Sequence, residues 1–300
     1  MSDDPSTGLS EQDPAKGLCR IALAIEYDGA SFSGWQRQTA AGVAGDSAVA
    51  TVQQEVEKAL SKVAAHSVSV TCAGRTDAGV HATSQVVHFD CKQNRGEKAW
   101  TRGVNSLLPR SIRVLWAREV GEGFNARFTA QARRYHYVIY TRKQASAILD
   151  GRVTHVPFEL DVEAMNSAAQ ALVGEHDFTS FRAAGCQSST PNRNVHKVVV
   201  SAHRDFVLVD IEANAFLQHM VRNIVGSLLV IGRGLKPVTW IRDLLELRNR
   251  CEAAMTAAPH GLYLVQVIYP AAYGLPAGAK APPFVALDSP SSVSSCTLQE

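Results

Sequence analysis

The sequence lacks any apolar run long enough to cross a lipid bilayer. Its longest strongly apolar run covers residues 224–231, whereas a membrane-spanning helix needs about 20 residues. Residues 1–17 contain four acidic side chains and no apolar stretch, which is not the pattern of a secretory signal. The hydrophobic content of 46% is typical of a globular protein. These features predict a cytoplasmic protein that makes no membrane contact.

Metal and nucleotide motifs are also missing. The six cysteines include no CxxC pair, and there is no HExxH sequence or histidine cluster at helical spacing, so the sequence predicts no metal ion. A Walker A sequence is absent. Residues 121–126 have the pattern G-x-G-x-x-A, but strand-like residues follow within ten positions, where a dinucleotide site requires a helix. We therefore expect no nucleotide cofactor.

Charge is distributed unevenly along the chain. The net charge of the 300 residues is only +2, yet residues 91–152 contain thirteen basic and four acidic side chains, a net charge of +9. Such a segment can bind phosphates, and its excess of arginine over lysine suits bidentate contacts. Charge alone favours this interpretation no more than a solvated surface without a partner.

The element order β-α-β-β-α-β is predicted twice. The pattern indicates an α+β protein with two ferredoxin-like, RRM-like halves, whose antiparallel sheets meet at a central RNA-binding cleft. The uncovered sheet faces are expected to bind RNA. The predicted N-terminal domain covers 19–122 and the C-terminal domain 123–271, with disordered tails over 1–18 and 272–300. The predicted strands are 20–27, 67–72, 85–89, 112–119, 134–141, 195–203, 206–212 and 262–268, and the predicted helices are 52–64, 98–107, 162–172, 216–231 and 239–248.

A ten-residue loop, CAGRTDAGVH at 72–81, joins two predicted strands. Gly74 and Gly79 permit sharp turns around the central residues of this loop. For an isolated Asp-Ala-Gly triplet we favour an ordinary hairpin, in which Asp77 makes an Asx-type turn and Arg75 is solvated. The longer sequence changes that interpretation.

The string GRTDAGVHA resembles the active-site motif of the tRNA pseudouridine synthase A family. Further segments are similar to other segments of that family, in the same order, across about residues 20–270. The chain departs from the family pattern at 39–50, which is longer and richer in Ala and Gly, and in both tails. The similar segments are YDGASFSGWQRQ (27–38), ARFTAQARRYHYVIY (126–140), GEHDFTSFRA (174–183), FLQHMVRNIVGSLLVIGRG (216–234) and GLYL (261–264).

The resemblance implies an isomerase that converts uridine to pseudouridine at positions 38, 39 and 40 of the tRNA anticodon stem-loop. This reaction breaks the glycosidic C–N bond and rejoins the uracil to the same sugar through carbon. No redox change occurs and no group is imported, so the resemblance implies no cofactor. It also implies a homodimer with tRNA lying across both subunits. Modification of neighbouring positions implies recognition by RNA shape and phosphates.

The resemblance implies functional roles for three charged residues. Asp77 matches the catalytic carboxylate, which either forms a covalent adduct or moves a proton from the sugar. Arg222 matches the arginine that pairs with this carboxylate, and an unpaired guanidinium between Val221 and Ile224 would be costly. Arg75 matches an arginine that contacts RNA and helps to hold the target nucleotide out of its helix.

Two further residues are expected around the base. Tyr135 matches the tyrosine that packs on the flipped base and takes part in proton removal at C5, whereas without the resemblance we favour sheet packing beside Tyr137. Leu264 matches a residue of the apolar pocket wall. His176 and His219 are interpreted as structural or RNA-contacting.

A non-catalytic RNA-binding protein with duplicated RRM-like domains is the alternative. Two ferredoxin-like halves and a basic segment would serve such a protein equally well. Asp77 distinguishes the two hypotheses, because a carboxylate in a basic RNA site opposes phosphate binding and a pure binding protein has no use for it. The sequence therefore favours the enzyme.

Overall fold

The computed structural model describes residues 17–38, 50–276, 278 and 281–286. Residues 1–16 of the predicted N-terminal tail and residues 39–49 of the divergent segment 39–50 lie outside the described residues, as do residues 277, 279–280 and 287–300 of the predicted C-terminal tail. None of the helices in the described ranges is long and apolar enough to cross a membrane.

The described strands form one continuous, mostly antiparallel sheet, and the predicted α+β class is confirmed. Their order is β4-β1-β3-β10-β5-β9-β8-β7, with β2 paired to β3 and β6 paired to β5. The strands are β1 (Cys19–Tyr27), β2 (Thr71–Cys72), β3 (His81–Cys91), β4 (Ile112–Val120), β5 (Ala132–Tyr140), β6 (Thr154–His155), β7 (Gly174–Asp177), β8 (Asn192–His203), β9 (Phe206–Ala213) and β10 (Leu262–Ile268).

The α-helices largely follow the predicted apolar stripes. The Thr51 side chain accepts a hydrogen bond from the Gln54 N–H and so caps the N-terminus of the first helix. The helix predicted over 98–107 is present as a helical segment over 97–105, whose middle part, Ala99–Gly103, is π-helical. The α-helices are α1 (Val52–Ala64), α2 (Val162–Ala169), α3 (Met220–Gly232), α4 (Trp240–Leu247) and α5 (Pro283–Ala286).

The strand predicted over 67–72 was too long, since only Thr71–Cys72 pairs with β3. The reason lies in where the preceding backbone N–H groups donate. Val68 donates to the Ser61 hydroxyl and Val70 donates to the Glu57 carboxylate, both on α1. These two N–H groups are satisfied by side chains, so the alternating sequence does not extend the sheet.

Strand β3 joins the two halves of the sheet. One of its edges pairs with β1, while the opposite edge pairs with β2 near His88 and with β10 at His81 and Ala82. The loop 73–80 connects the end of β2 to the start of β3. The loop that the sequence singled out therefore lies at the junction between the two halves.

The main core lies on the sheet face that α1 and α3 cover. Tyr135, Tyr137 and Ile139 of β5 pack in the same cluster as these helices, whereas Val138 packs on the opposite face with Tyr263. Tyr135 therefore faces the helices. The structure thus places Tyr135 on the helix-covered face, whereas the sequence predicted that the uncovered sheet faces bind RNA.

Part of the predicted C-terminal tail is structured. Tyr273 lies at the end of a short 3-10 helix, and its ring packs edge-on against Phe124 with a centroid distance of 5.1 Å. Phe284 of α5 packs against Phe206 and Tyr263 at 6.1 Å. The prediction of disorder therefore does not hold for the described residues after 271, because these aromatic side chains cover the sheet face opposite the main core.

Candidate active site

Hydrogen bonds from β3 fix the start of the loop 73–80. The Gln85 side chain is fully buried, and its amide donates to the Gly74 carbonyl at 2.5 Å while its oxygen accepts from the Gly74 N–H at 3.4 Å. The Ala73 N–H donates to the Val86 carbonyl at 2.8 Å. A buried amide with both of its groups satisfied holds the backbone firmly, because the alternative is an unsatisfied polar group.

The segment after β1 supports the middle of the same loop. The Trp35 N–H donates to the Thr76 carbonyl at 3.0 Å, and the Thr76 hydroxyl lies 2.8 Å from the Tyr27 hydroxyl. Gly34 is required at this contact. A Cβ there would lie 2.8 Å from the Thr76 carbonyl oxygen, and the backbone has a φ of +89°. These contacts to Thr76 fix the backbone next to Asp77.

Arg222 holds the Asp77 carboxylate from the first turn of α3. Its Nη1 lies 3.1 Å from Asp77 Oδ2, and its Nε donates to the Ala257 carbonyl at 2.8 Å. The Arg222 side chain is 14% exposed and that of Asp77 is 30% exposed. The expected pairing of Asp77 with Arg222 is present in the structure.

His219 is the residue that immediately precedes α3. Its Nε2 lies 3.4 Å from Asp77 Oδ2, and its backbone has a φ of +62°. The same carboxylate oxygen therefore faces two basic side chains. Sequence reasoning noted His219 only as a structural or RNA-contacting residue, and no local pattern indicated that it would meet Asp77.

Tyr135 lies beside this carboxylate. Its ring packs edge-on against Phe216 at a centroid distance of 5.1 Å, and its hydroxyl lies 3.6 Å from where a Cβ on Gly74 would be. Burial raises the pKa of the Tyr135 hydroxyl, and the negative charge of Asp77 raises it further. The hydroxyl makes no hydrogen bond to the described residues and keeps its proton at neutral pH.

Leu264 lies behind the cleft. It is fully buried, and in the sheet register it stands opposite Tyr135 on β5. Leu262, two residues earlier on the same face of β10, contributes to the cleft wall instead. The structure thus brings Asp77, Tyr135 and Arg222 together and places Leu264 as a support for Tyr135.

These residues share an open cleft of about 870 Å³ between the N-terminal ends of α1 and α3. This volume falls within the range of ligand-binding sites. Five arginines line the cleft, and Asp77 is the only acidic residue among the lining residues that the structure describes. The arginines are Arg75, Arg127, Arg133, Arg193 and Arg222.

The five arginines are not equivalent. Arg133 donates to four backbone carbonyls, including that of Ala73, and Arg193 donates to the chain around 188–192. Both have structural roles. The guanidinium of Arg75 makes no hydrogen bond or ion pair within the described residues, and that of Arg127 lies 5.4 Å from the Phe128 ring centre. Arg75 and Arg127 are therefore available to an anionic ligand.

The basic segment 91–152 does not form one surface over the cleft. Among its thirteen basic residues, Arg127 and Arg133 line the cleft. Four others are paired with acidic side chains elsewhere, including Arg134 with Asp210 at 2.7 Å and Arg152 with Asp28 at 2.9 Å. The charge excess in this segment is thus balanced in part by the fold.

The described residues contain neither the nucleotide-binding arrangement nor the metal site that cofactor motifs would form. Residues 121–126 are followed by β5, and no helix begins there. Within the described ranges, no group of three or more His, Cys, Asp and Glu side chains is placed to hold a metal ion. An anion-binding cleft with one paired carboxylate at its base is an arrangement for nucleophilic or acid–base chemistry on a polyanion such as a nucleic acid.

Comparison with known proteins identifies the family within this class. The sequence model of a family described as tRNA pseudouridine synthase matches residues 23–129 and 168–270. The tRNA pseudouridine synthase A of Shewanella amazonensis is 58% identical over 266 residues, which cover 89% of this chain and 99% of that protein. The protein of the same name from Aeromonas hydrophila is 56% identical over 257 residues, 86% and 93% of the two chains. The chain belongs to the tRNA pseudouridine synthase family, and the resemblance recognised in the sequence is confirmed.

Proposed function

We propose that this chain isomerises uridine to pseudouridine in tRNA and that Asp77 is its catalytic carboxylate. Family membership supports the reaction. The observation that carries the assignment of Asp77 is its pairing with Arg222 at 3.1 Å in a cleft with no other acidic lining residue in the described structure. A carboxylate that must react needs a partner that keeps it ionised while the cleft fills.

Arg222 supplies that partner, and the chain's own groups then act on the target nucleotide. Asp77 either attacks the sugar or removes a proton from it, and both routes require the carboxylate to be ionised. Tyr135 packs on the flipped base and, as a protonated hydroxyl, can donate a hydrogen bond or take part in the proton transfer at C5. Leu264 keeps Tyr135 in position from the neighbouring strand.

Arg75 and Arg127 are proposed to hold the RNA backbone. Both guanidinium groups are free for phosphates, and Arg75 lies two residues from Asp77, close enough to help keep the target nucleotide out of its stack. Binding should therefore weaken steeply with rising salt. An affinity that does not change between low and moderate ionic strength would contradict this role.

Four finer features belong to the same proposal. The targets are uridines 38, 39 and 40 of the anticodon stem-loop, the enzyme is cytoplasmic, and it acts as a homodimer. The strand orders β4-β1-β3-β2 and β10-β5-β9-β8 support the inference that residues 19–122 and 123–271 are two ferredoxin-like halves. Light scattering tests the dimer, since a species of 32.4 kDa alone would contradict it.

Tritium release from C5-labelled uridine in an unmodified tRNA transcript tests the reaction and the role of Asp77 together. We expect the native chain to release tritium and Asp77→Asn to release none while still binding tRNA. If the native chain binds tRNA but releases nothing, a non-catalytic RNA-binding protein becomes the better hypothesis. If both chains release tritium equally, Asp77 is not the catalytic residue.

A further inference from the structure

His219 has a backbone conformation that needs an explanation. It is one of four non-glycine residues with positive φ in the described chain, with φ +62° and ψ 3°. This backbone conformation is strained for an L-residue. His219 occupies the N-cap position of α3, yet its side chain caps no helical N–H group. The side chain is directed to Asp77 instead.

The contact of His219 is specific to one carboxylate oxygen. His219 Nε2 lies 3.4 Å from Asp77 Oδ2, and Arg222 Nη1 lies 3.1 Å from the same oxygen. Within the described residues, Asp77 Oδ1 accepts no hydrogen bond. The two oxygens of one carboxylate are therefore in different environments, with two nitrogens near Oδ2 and none bonded to Oδ1.

We propose that His219 is a positioning residue, which together with Arg222 fixes Asp77 Oδ2 so that Oδ1 is the oxygen presented to the uridine. This inference rests on the proposed function of Asp77. A single partner on Oδ2 allows the carboxylate to rotate about that contact, whereas two partners restrict the rotation and keep Oδ1 directed into the cleft. Orientation of this kind raises the rate of the chemical step rather than the affinity.

The distance of 3.4 Å from His219 Nε2 to Asp77 Oδ2 is longer than a well-formed hydrogen bond. Contacts of catalytic groups are often long in the free enzyme and shorten when substrate fills the site. The side chains of His219 and Asp77 are 32% and 30% exposed, so substrate would displace water from both. The proposal requires no proton transfer from the imidazole.

Two simpler explanations predict different results. If only the left-handed backbone of His219 matters, glycine should replace it without loss, because glycine adopts this conformation at no steric cost. If His219 contacts a phosphate of the RNA, its loss should raise KM and leave kcat unchanged. A positioning role predicts the reverse, a fall in kcat that a non-titrating donor restores.

The test measures kcat and KM for His219→Gly and His219→Gln, in the full chain, on an unmodified tRNA transcript. We expect His219→Gly to lower kcat by about 10- to 100-fold and to change KM by less than about threefold. His219→Gln places an amide nitrogen near the position of Nε2, and its kcat should recover to within about tenfold of the native value.

Controls separate this inference from folding and from the proposed function. Ala65→Gly alters another position with φ +60°, at the end of α1, and should leave kcat unchanged. Melting temperatures should show that both His219 variants fold. A native kcat in His219→Gly, a loss confined to KM, or a folded His219→Gln as slow as His219→Gly would each overturn the positioning role. Asp77→Asn is measured in parallel. If Asp77→Asn stays active, the proposed role of Asp77 fails. If Asp77→Asn is inactive while both His219 variants keep the native kcat, the role of Asp77 stands and only the positioning role of His219 fails.

Discussion

Arg222 contacts Asp77 with one edge of its guanidinium and the Ala257 carbonyl with another. The two distances are 3.1 Å from Nη1 to Asp77 Oδ2 and 2.8 Å from Nε to the Ala257 oxygen. The Ala257 N–H in turn donates to the Arg222 carbonyl at 3.1 Å. The charge that faces Asp77 is thereby attached to the rigid segment before β10, which fixes its position as well as its sign.

A planar fork is needed for this arrangement, so Arg222→Lys should not be a conservative change. The single ammonium group of a lysine at this position cannot reach both the Asp77 carboxylate and the Ala257 carbonyl. We expect kcat in the tritium-release assay to fall by about 10- to 100-fold, with a smaller change in KM. If Arg222→Lys is fully active with an unchanged melting temperature, only the positive charge is required.

Gly34 offers a test of how closely the loop 73–80 must be held. A Cβ at this position would lie 2.8 Å from the Thr76 carbonyl oxygen and 3.1 Å from the Ala78 nitrogen. Gly34→Ala should therefore displace the loop and lower kcat more than about tenfold. The matched control is Gly96→Ala, since Gly96 has a similar φ of +83° but no atoms within 4 Å of the added Cβ.

Both glycine variants should lose about 1 kcal/mol of stability because alanine is strained at positive φ. Only Gly34→Ala should also have a lower kcat. Equal kcat values in the two variants would show that the loop tolerates displacement at Thr76. Urea unfolding of each variant supplies the stability values for the comparison.

The sequence predicted the elements better than the way they meet. Local alternation located most strands, and apolar residues at helical spacing located α1, because these patterns depend on neighbouring residues. The pairing of Tyr263 with His81 and of Leu264 with Ala82, which joins the halves into one sheet, links residues about 180 positions apart. Nothing in either local pattern encodes that pairing.

The sequence likewise identified some residues of the site and missed others. Asp77, Arg222 and Tyr135 were found through a family resemblance, and the structure brings them together. Gln85 was missed, because a polar residue at the start of a predicted strand gives no sign that its amide will bond both groups of Gly74. Leu262 was also missed, since nothing distinguishes it from Leu264 before the cleft is known.

Cysteine labelling can test whether tRNA occupies the cleft. Cys186 lines the cleft, and hydrogen bonds from the Gln218 N–H and neighbouring groups outweigh its partial burial and lower its pKa. Cys251 is exposed and does not line the cleft, whereas burial raises the pKa of Cys72 to about 12. Iodoacetamide should therefore label Cys186 and Cys251 but not Cys72 in the free protein.

Unmodified tRNA should protect Cys186 from iodoacetamide and leave the labelling of Cys251 unchanged. Peptide mass spectrometry after a short labelling pulse measures each site separately. Equal labelling of Cys186 with and without saturating tRNA would place the RNA away from this wall of the cleft. Protection of both cysteines would indicate a general effect, such as reagent loss, and not occupation of the cleft.

Stability should also depend on pH through Asp28, which contacts His81 and Arg152. His81 at 3.3 Å, the Ala30 N–H and Arg152 at 2.9 Å hold the pKa of Asp28 down to about 2, from an ordinary value of 3.8. A carboxyl whose pKa is lowered by folding stabilises the protein above its unfolded value and loses that contribution as pH falls through the folded value. The contribution of Asp28 is therefore fully present above about pH 4 and lost toward pH 2.

Asp28→Asn removes this contribution at every pH, so its deficit relative to the native chain should shrink as the pH falls. We expect a loss of about 1 kcal/mol at pH 6, discounted because the Asp28 side chain is 30% exposed and its ion pair is screened by solvent. Urea unfolding at pH 6, 4 and 3 gives the free energy of unfolding of both chains. A deficit that stays constant over this range would show that the contacts of Asp28 act through packing and geometry and not through its charge.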